Sequence, residues 1–230
     1  MSLGQTILVV AAHADDEALG CGGSMARWAG EGRSVHLLLL ADGEGARGDA
    51  ADPALSKKIE KRRAATEVAA KILGVSTVTM LSFADNRMDG VELLDIVKAV
   101  ESRIDAVKPD TVLTHHAGDV NVDHRVVHDA VLAACRPLPG HCVKHLLFFE
   151  VASSTEWRPA GSGQDFVANF FVDIAATLDV KLRALQAYRD EMRSFPHPRS
   201  PEAIEALARW RGACCGVPAA EAFVLGRQII

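Results

Sequence analysis

A short stretch near the N-terminus changes character abruptly. Ile7 to Ala12 are apolar, and His13-Ala14-Asp15-Asp16-Glu17 then puts four titratable groups into five positions. Packing beside a core strand does not call for such a cluster. His13 and Asp16 stand three apart, close enough on a strand-to-helix turn to share a metal. A second histidine would complete a two-His, one-carboxylate set. On a tetrahedral zinc that set leaves one position open for water, as a hydrolytic site requires. His124 is the candidate, from the end of a different strand. Nine histidines are available, so spacing alone does not single it out. Asp123 and His128 flank it, and His128, one helical turn on, can ligate instead. Read alone, His124 at a helix start is a cap or a surface residue.

Asp15 is the natural general base. A water activated at a metal needs a carboxylate within hydrogen-bond reach, and Asp15 adjoins Asp16. Asp15 can equally cap the helix that follows, and Glu17 can favour the helix start through the macrodipole.

These residues need a scaffold. The apolar run predicts a buried strand over 6–12 and a helix over 17–31, with Gly20, Gly22 and Gly23 letting the helix approach the sheet. The glycines match no dinucleotide fingerprint. Apolar runs predict further strands at 35–40, 76–83, 111–114, 144–150 and 169–172. Helices are predicted at 53–73, 92–107, 125–135, 174–191 and 202–211. Strand–helix alternation implies an α/β fold: a Rossmann-like three-layer sandwich, its sheet mostly parallel, with helices on both faces. Polar clusters at the strands' carboxyl ends then fall where open α/β sheets bind ligands. No repeat or linker interrupts the chain, so 1–230 reads as a single domain. The proline-rich patch at Pro196, Pro198 and Pro201 reads as a loop folding back over the site.

Composition narrows the function. With 49% apolar and 24% charged residues, the 230-residue chain resembles an ordinary globular protein. The net charge of −5 leaves no nucleic-acid footprint. The basic run Lys57-Lys58 and Lys61-Arg62-Arg63 reads as a solvated helix face. No apolar stretch reaches the ~20 residues of a transmembrane helix, and no signal peptide is evident. Five irregularly spaced cysteines argue against a disulfide framework and for packing residues in a reducing cytoplasm.

His13-Ala14-Asp15-Asp16-Glu17 after an apolar strand resembles the Ala-His-Pro-Asp-Asp-Glu signature of the LmbE/PIG-L family of zinc-dependent N-deacetylases. Those enzymes remove acetyl groups from N-acetylglucosamine-type sugars. The resemblance covers nearly the whole chain: Asp119-Val120-Asn121-Val122-Asp123-His124-Arg125 looks like the second metal motif. Phe149 to Trp157 and Ala220-Glu221-Ala222-Phe223 look like further family blocks. The resemblance implies zinc, or another divalent ion, on His13, Asp16 and His124, with Asp15 as base. Two positions depart from the family pattern. Ala14 replaces a proline, which loosens the turn without removing a ligand. Asn121 replaces a histidine that helps polarise the carbonyl in many members, so Asn121 itself or another residue takes that role. A late histidine completes the site in some members, sometimes in a neighbouring subunit, which leaves room for a homo-oligomer. His197, between two prolines, is the match.

The catalytic set implied is therefore Asp15, His197, Asn121 and Asp123. Sugar contacts would come from Arg47, Asp85, Arg87, Glu150 and Trp157, on loops after the second, third and fifth strands. The expected activity is zinc-dependent removal of the N-acetyl group from a small N-acetylated amino sugar. The alternatives are a zinc amidase acting on another small amide, such as a sugar–thiol conjugate, and a non-catalytic Rossmann-like binding module.

Overall fold

A computed structural model describes residues 3–41, 43 and 55–230. In chain order the elements are β1 (Thr6–Ala11), α1 (Asp16–Gly30), β2 (Ser34–Ala41), α2 (Leu55–Leu73) and β3 (Thr77–Phe83). There follow α3 (Leu93–Val107), β4 (Thr111–His115), α4 (Val122–Ala134), β5 (His145–Phe149) and β6 (Phe170–Asp173). The last three are α5 (Leu178–Ala187), α6 (Pro201–Cys215) and β7 (Ala220–Gln228). The strands form one seven-stranded sheet in the order β3-β2-β1-β4-β5-β7-β6. β3 to β5 run parallel, and β7 lies antiparallel to both β5 and β6. The expected α/β sandwich with a mostly parallel sheet is the one observed.

The period-two geometry of a strand divides the core into two layers. On β1, Ile7, Val9 and Ala11 pack with α1, α2, α5 and α6. Leu8, Val10 and Ala12 pack on the opposite face with α3 and α4. Strands buried on both faces are mostly apolar: β1 and β5 are so beyond their first residues, while β4 is equally buried but carries Thr111, Thr114 and His115. The strand order reverses between β1 and β4, which opens a crevice at their carboxyl ends.

α1 approaches the sheet closely. A Cβ on Gly20 would lie 2.4 Å from the Phe149 ring, and one on Gly23 would lie 2.8 Å from Ile174. The helix breaks its regular geometry at Cys21 (φ −145°). The break frees backbone groups that a buried ion pair takes up. Glu221 accepts from the N–H of Gly23 and Ser24 at 2.9 and 2.7 Å, and Lys181 donates to Leu19 O at 2.8 Å and to Glu221 at 2.5 Å. Helix breaks need such partners because their backbone groups are otherwise orphaned.

Four expectations need correction. Residues 174–191 do not make one helix; α5 spans Leu178–Ala187. The N–H of Ile174 bonds to Ala219 O beside the sheet, and beyond Ala187 the chain turns to carry Glu191 inward. β7 carried no strand reading. Its Gly226 lacks a Cβ, which would come within 2.5 Å of the Phe148 ring, and it falls where the β5–β7 register shifts. Arg62 is buried, whereas its basic neighbours on α2 are exposed. Cys214 and Cys215 are exposed at the end of α6, so packing explains the buried Cys21 and Cys135 and the partly buried Cys142, but not this pair. Pro53, expected near the start of α2, lies outside the described residues. Among the described residues no helix is long and apolar enough to cross a membrane.

Candidate metal centre

β1 runs directly into the turn that holds the first two candidate ligands. Asp16 Oδ2 accepts the backbone N–H of His13 at 2.8 Å, and the same oxygen lies 3.2 Å from His13 Nδ1. α4 supplies the third. Asn121 caps that helix, its side-chain oxygen accepting from the Asp123 N–H at 2.8 Å, and His124 follows in the first turn. His124 Nε2 stands 3.2 Å from Asp16 Oδ2 and 3.3 Å from His13 Nδ1. All three residues are buried, with one ligand atom of each within 4.8 Å of the others.

The other ring nitrogens also face carboxylates. His13 Nε2 lies 3.0 Å from Asp123 Oδ2 and 3.1 Å from Asp85 Oδ1, and His124 Nδ1 lies 3.1 Å from Asp119 Oδ2. Asp16 and the outer carboxylates all accept only, so the tautomer that suits a metal is the one with the hydrogen on these outer nitrogens. The lone pairs of His13 Nδ1 and His124 Nε2 are then left facing Asp16. Two imidazole lone pairs converge on a carboxylate whose second oxygen is buried without a hydrogen-bond partner. That donor set suits a divalent cation, and carboxylates behind ligating histidines are the usual orienting arrangement.

The supporting carboxylates are themselves pinned. Asp119 accepts from Ser154 Oγ, from Thr155 Oγ1 at 2.8 Å and from the Asn121 N–H at 2.8 Å. Burial alone would raise its pKa, but His124 and Ser154 bring it down to about 2. Asp123 accepts from the N–H of Asn86 at 2.7 Å and of Met88 at 3.0 Å. Burial disfavours the charged imidazole of His124, yet Asp16 and Asp119 outweigh it and raise that pKa to about 9. Asp16 is driven well below the carboxylate range by His124 and His13, against its burial.

Asp15 faces different company. Its backbone sits at φ +119°, a conformation that a residue with a Cβ rarely adopts. Neighbours hold it there: Arg62 donates to Ala14 O at 3.0 Å, and the Asp15 N–H bonds Glu17 Oε2 at 3.1 Å. The side chain accepts from Arg199 at 2.7 Å. Burial raises the Asp15 pKa to about 6, with Arg199 opposing and Asp16 assisting. Burial likewise raises Glu17 to about 7, against a 2.6 Å hydrogen bond from Tyr188.

The remaining expected residues scatter. His128 donates from Nδ1 to His115 O at 2.9 Å and so faces the backbone of β4. Asp85 is buried beside His13, and Arg87 is exposed on the same loop. Asn121 Nδ2 donates to Asn86 Oδ1 at 3.1 Å. His197 accepts the Arg199 N–H on Nδ1 at 3.1 Å, and Trp157, half exposed, meets its ring edge-on at 5.8 Å. Glu150 accepts from Nε and Nη2 of Arg211, at 2.8 and 2.6 Å. Arg47 lies outside the described residues. Arg199, Glu191, Asp119 and His115 carried no role in the sequence reading. His115 is fully buried, accepts the Ala12 N–H at 2.8 Å and stacks on His124 at 3.9 Å. Arg199 had one visible signal, its place two residues beyond His197 in the proline-rich patch.

Comparison with known proteins gives the arrangement a context. The family model described as "PIG-L: GlcNAc-PI de-N-acetylase" matches residues 8–135. An uncharacterized deacetylase of Escherichia coli K12, YaiS, is 34% identical over 58% of this chain and 69% of its own length. A probable N-acetyl-alpha-D-glucosaminyl L-malate deacetylase 2 of Bacillus cereus is 24% identical over 89% of this chain and 93% of its own. Among solved structures, GalB, the 4-carboxy-2-hydroxymuconate hydratase of Pseudomonas putida KT2440, superposes with a TM-score of 0.78. It is 22% identical and covers 99% of this chain and 98% of its own. A fold shared at that identity fixes no reaction.

Proposed function

The chain belongs to the PIG-L (LmbE) family, and on that premise we propose that it is a zinc-dependent deacetylase. Its substrate would be an N-acetylated amino sugar of the N-acetylglucosamine type. The observation that carries this reading is the pair Asp15–Asp16. Asp16 converges with two histidine lone pairs, and the adjacent Asp15 is kept out of that cluster by a different partner. The names of the relatives in Escherichia coli and Bacillus cereus support deacetylation, and the latter supports a glucosaminyl substrate.

His13 Nδ1, Asp16 and His124 Nε2 would hold zinc, or another divalent ion. When bound, the metal would polarise the acetamide carbonyl and acidify the attacking water. Asp15 takes the proton from that water and returns it to the leaving amine. His197 keeps its Nδ1 on the Arg199 N–H, so its Nε2 carries the hydrogen and is the donor for the developing oxyanion. Asn121 turns its amide nitrogen to Asn86 and its oxygen to the helix cap, so we assign it to shaping the loop. Asp123, with oxygens on His13, Asn86 and Met88, orients the ligand rather than moving protons. Asp85, Arg87 and Trp157, with Arg47, are the proposed sugar contacts. Glu150 reaches the pocket only if it leaves Arg211. We read 1–230 as one domain working in the cytoplasm.

The test is elemental analysis of the purified protein beside His124→Ala, with released acetate measured on N-acetylated sugars. About one divalent ion per chain, lost in the variant together with acetate release, is expected. A wild-type protein that takes up no divalent metal on reconstitution would sink the hydrolase.

A further inference from the structure

We propose that Arg199 is a positioning residue for this reaction, one that holds Asp15 by a single oxygen and leaves the other for proton transfer. The inference rests on Asp15 as the base but adds a residue from a distant segment. Asp15 Oδ2 accepts from Arg199 Nη1 at 2.7 Å, and among the described residues no other side chain hydrogen-bonds this carboxylate. An aspartate bound at one oxygen only can still turn about its Cβ–Cγ bond unless its partner is fixed.

Arg199 is fixed. Its Nε donates to Ser153 Oγ at 2.7 Å, and its Nη1 lies 3.7 Å from Glu191 Oε2. Ser153 sits at φ +67° in the loop after β5, and its N–H bonds Glu156 at 2.6 Å. Glu191 is buried, and its other oxygen takes Arg62 at 2.6 Å. Arg62 in turn holds Ala14 O, the carbonyl just before Asp15. The ring therefore closes. Backbone and side chain of Asp15 are gripped by two arginines that share one glutamate, drawn from α2, the turn after α5 and the loop before α6.

This arrangement explains the buried Arg62 and Glu191, which neither ligate nor pack a core. It also gives the guanidinium a job that an ammonium does poorly, since a planar fork can meet Ser153 and Asp15 at once. Misplacing a reacting group by about 1 Å costs about 10²-fold in rate.

The experiment compares Arg199→Ala, Arg199→Lys and Asp15→Asn, with acetate release as kcat and KM on N-acetylglucosamine and on N,N'-diacetylchitobiose. Metal content and the 15N–1H spectrum of the arginine side chains are recorded alongside. Arg199→Ala should keep its metal and its KM and lose about 10²-fold in kcat. Arg199→Lys should recover part of that loss, and added guanidinium should restore Arg199→Ala but not Asp15→Asn. The Arg199 side-chain N–H signals should be protected in the wild type and should broaden in Asp15→Asn. Wild-type kcat in Arg199→Ala, with Asp15→Asn inactive, would overturn the role of Arg199 and leave the deacetylase standing. Full activity in Asp15→Asn would overturn the base itself. If neither sugar is turned over, the spectrum decides: Arg199 signals indifferent to Asp15→Asn remove the proposed contact.

Discussion

Asp15 and Asp16 are neighbours in sequence, both buried, and the molecule treats them in opposite ways. Asp16 looks into the crevice between β1 and β4, where His13 and His124 converge on it and push its pKa well below the usual range. Asp15 looks toward α2, the turn after α5 and the loop before α6. Burial raises it to about 6 against the pull of Arg199. One carboxylate is kept ionised, as the proposed cation site needs; the other is left able to take up a proton. Neighbouring titratable groups pushed apart by their surroundings are how one fold assigns distinct roles to like residues. The two regions differ in construction as well. The Asp16 side is assembled from strand ends and the first turn of α4. The Asp15 side is assembled from arginines and a glutamate far apart in the chain.

That contrast can be broken most sharply at its centre. Asp16→Asn should abolish metal uptake, whereas Asp15→Asn should keep the metal and lose about 10²–10⁴-fold in kcat. Metal content and acetate release measured on both variants check this, and loss of metal in Asp15→Asn would make Asp15 a ligand. A smaller effect is expected one layer out. Asp123→Asn and Asp119→Asn should each weaken metal binding by about 10–100-fold, because the imidazole behind each ligand loses its anchor. Competition with a chelator reads that affinity. Unchanged binding in both variants would show that the histidines need no such support. Smaller again, His197→Ala should lower kcat about tenfold or more with metal retained, the usual scale for a lost oxyanion donor being about 10²-fold. Unchanged turnover would remove His197 from the mechanism.

Much of the Asp16 side was legible beforehand. An apolar run ending in His-x-x-Asp is a local pattern, and strand–helix alternation placed it at a sheet crevice. The second motif supplied His124 through its resemblance to the family, where nine histidines could not be separated by spacing. The Asp15 side was opaque. Arg62 stands in a basic run that reads as a solvated face. Glu191 falls in a stretch whose pattern predicts helix although α5 ends at Ala187, and Arg199 has no local signal beyond lying two residues after His197. β7 went unread because Gly226 interrupts its pattern, although β7 carries the Glu221 that caps the broken α1.

By itself, then, the sequence determined the layered fold and brought forward the residues of the candidate metal cluster. Hydrophobic period and strand-end chemistry are written over a few adjacent residues. Only the tertiary structure decided which carboxylates stand behind His13 and His124, the cap formed by Asn121, and the closed ring of Arg62, Glu191 and Arg199. Each depends on which distant groups meet in a place without water. There a charge must find a partner, and no local pattern records which partner that is.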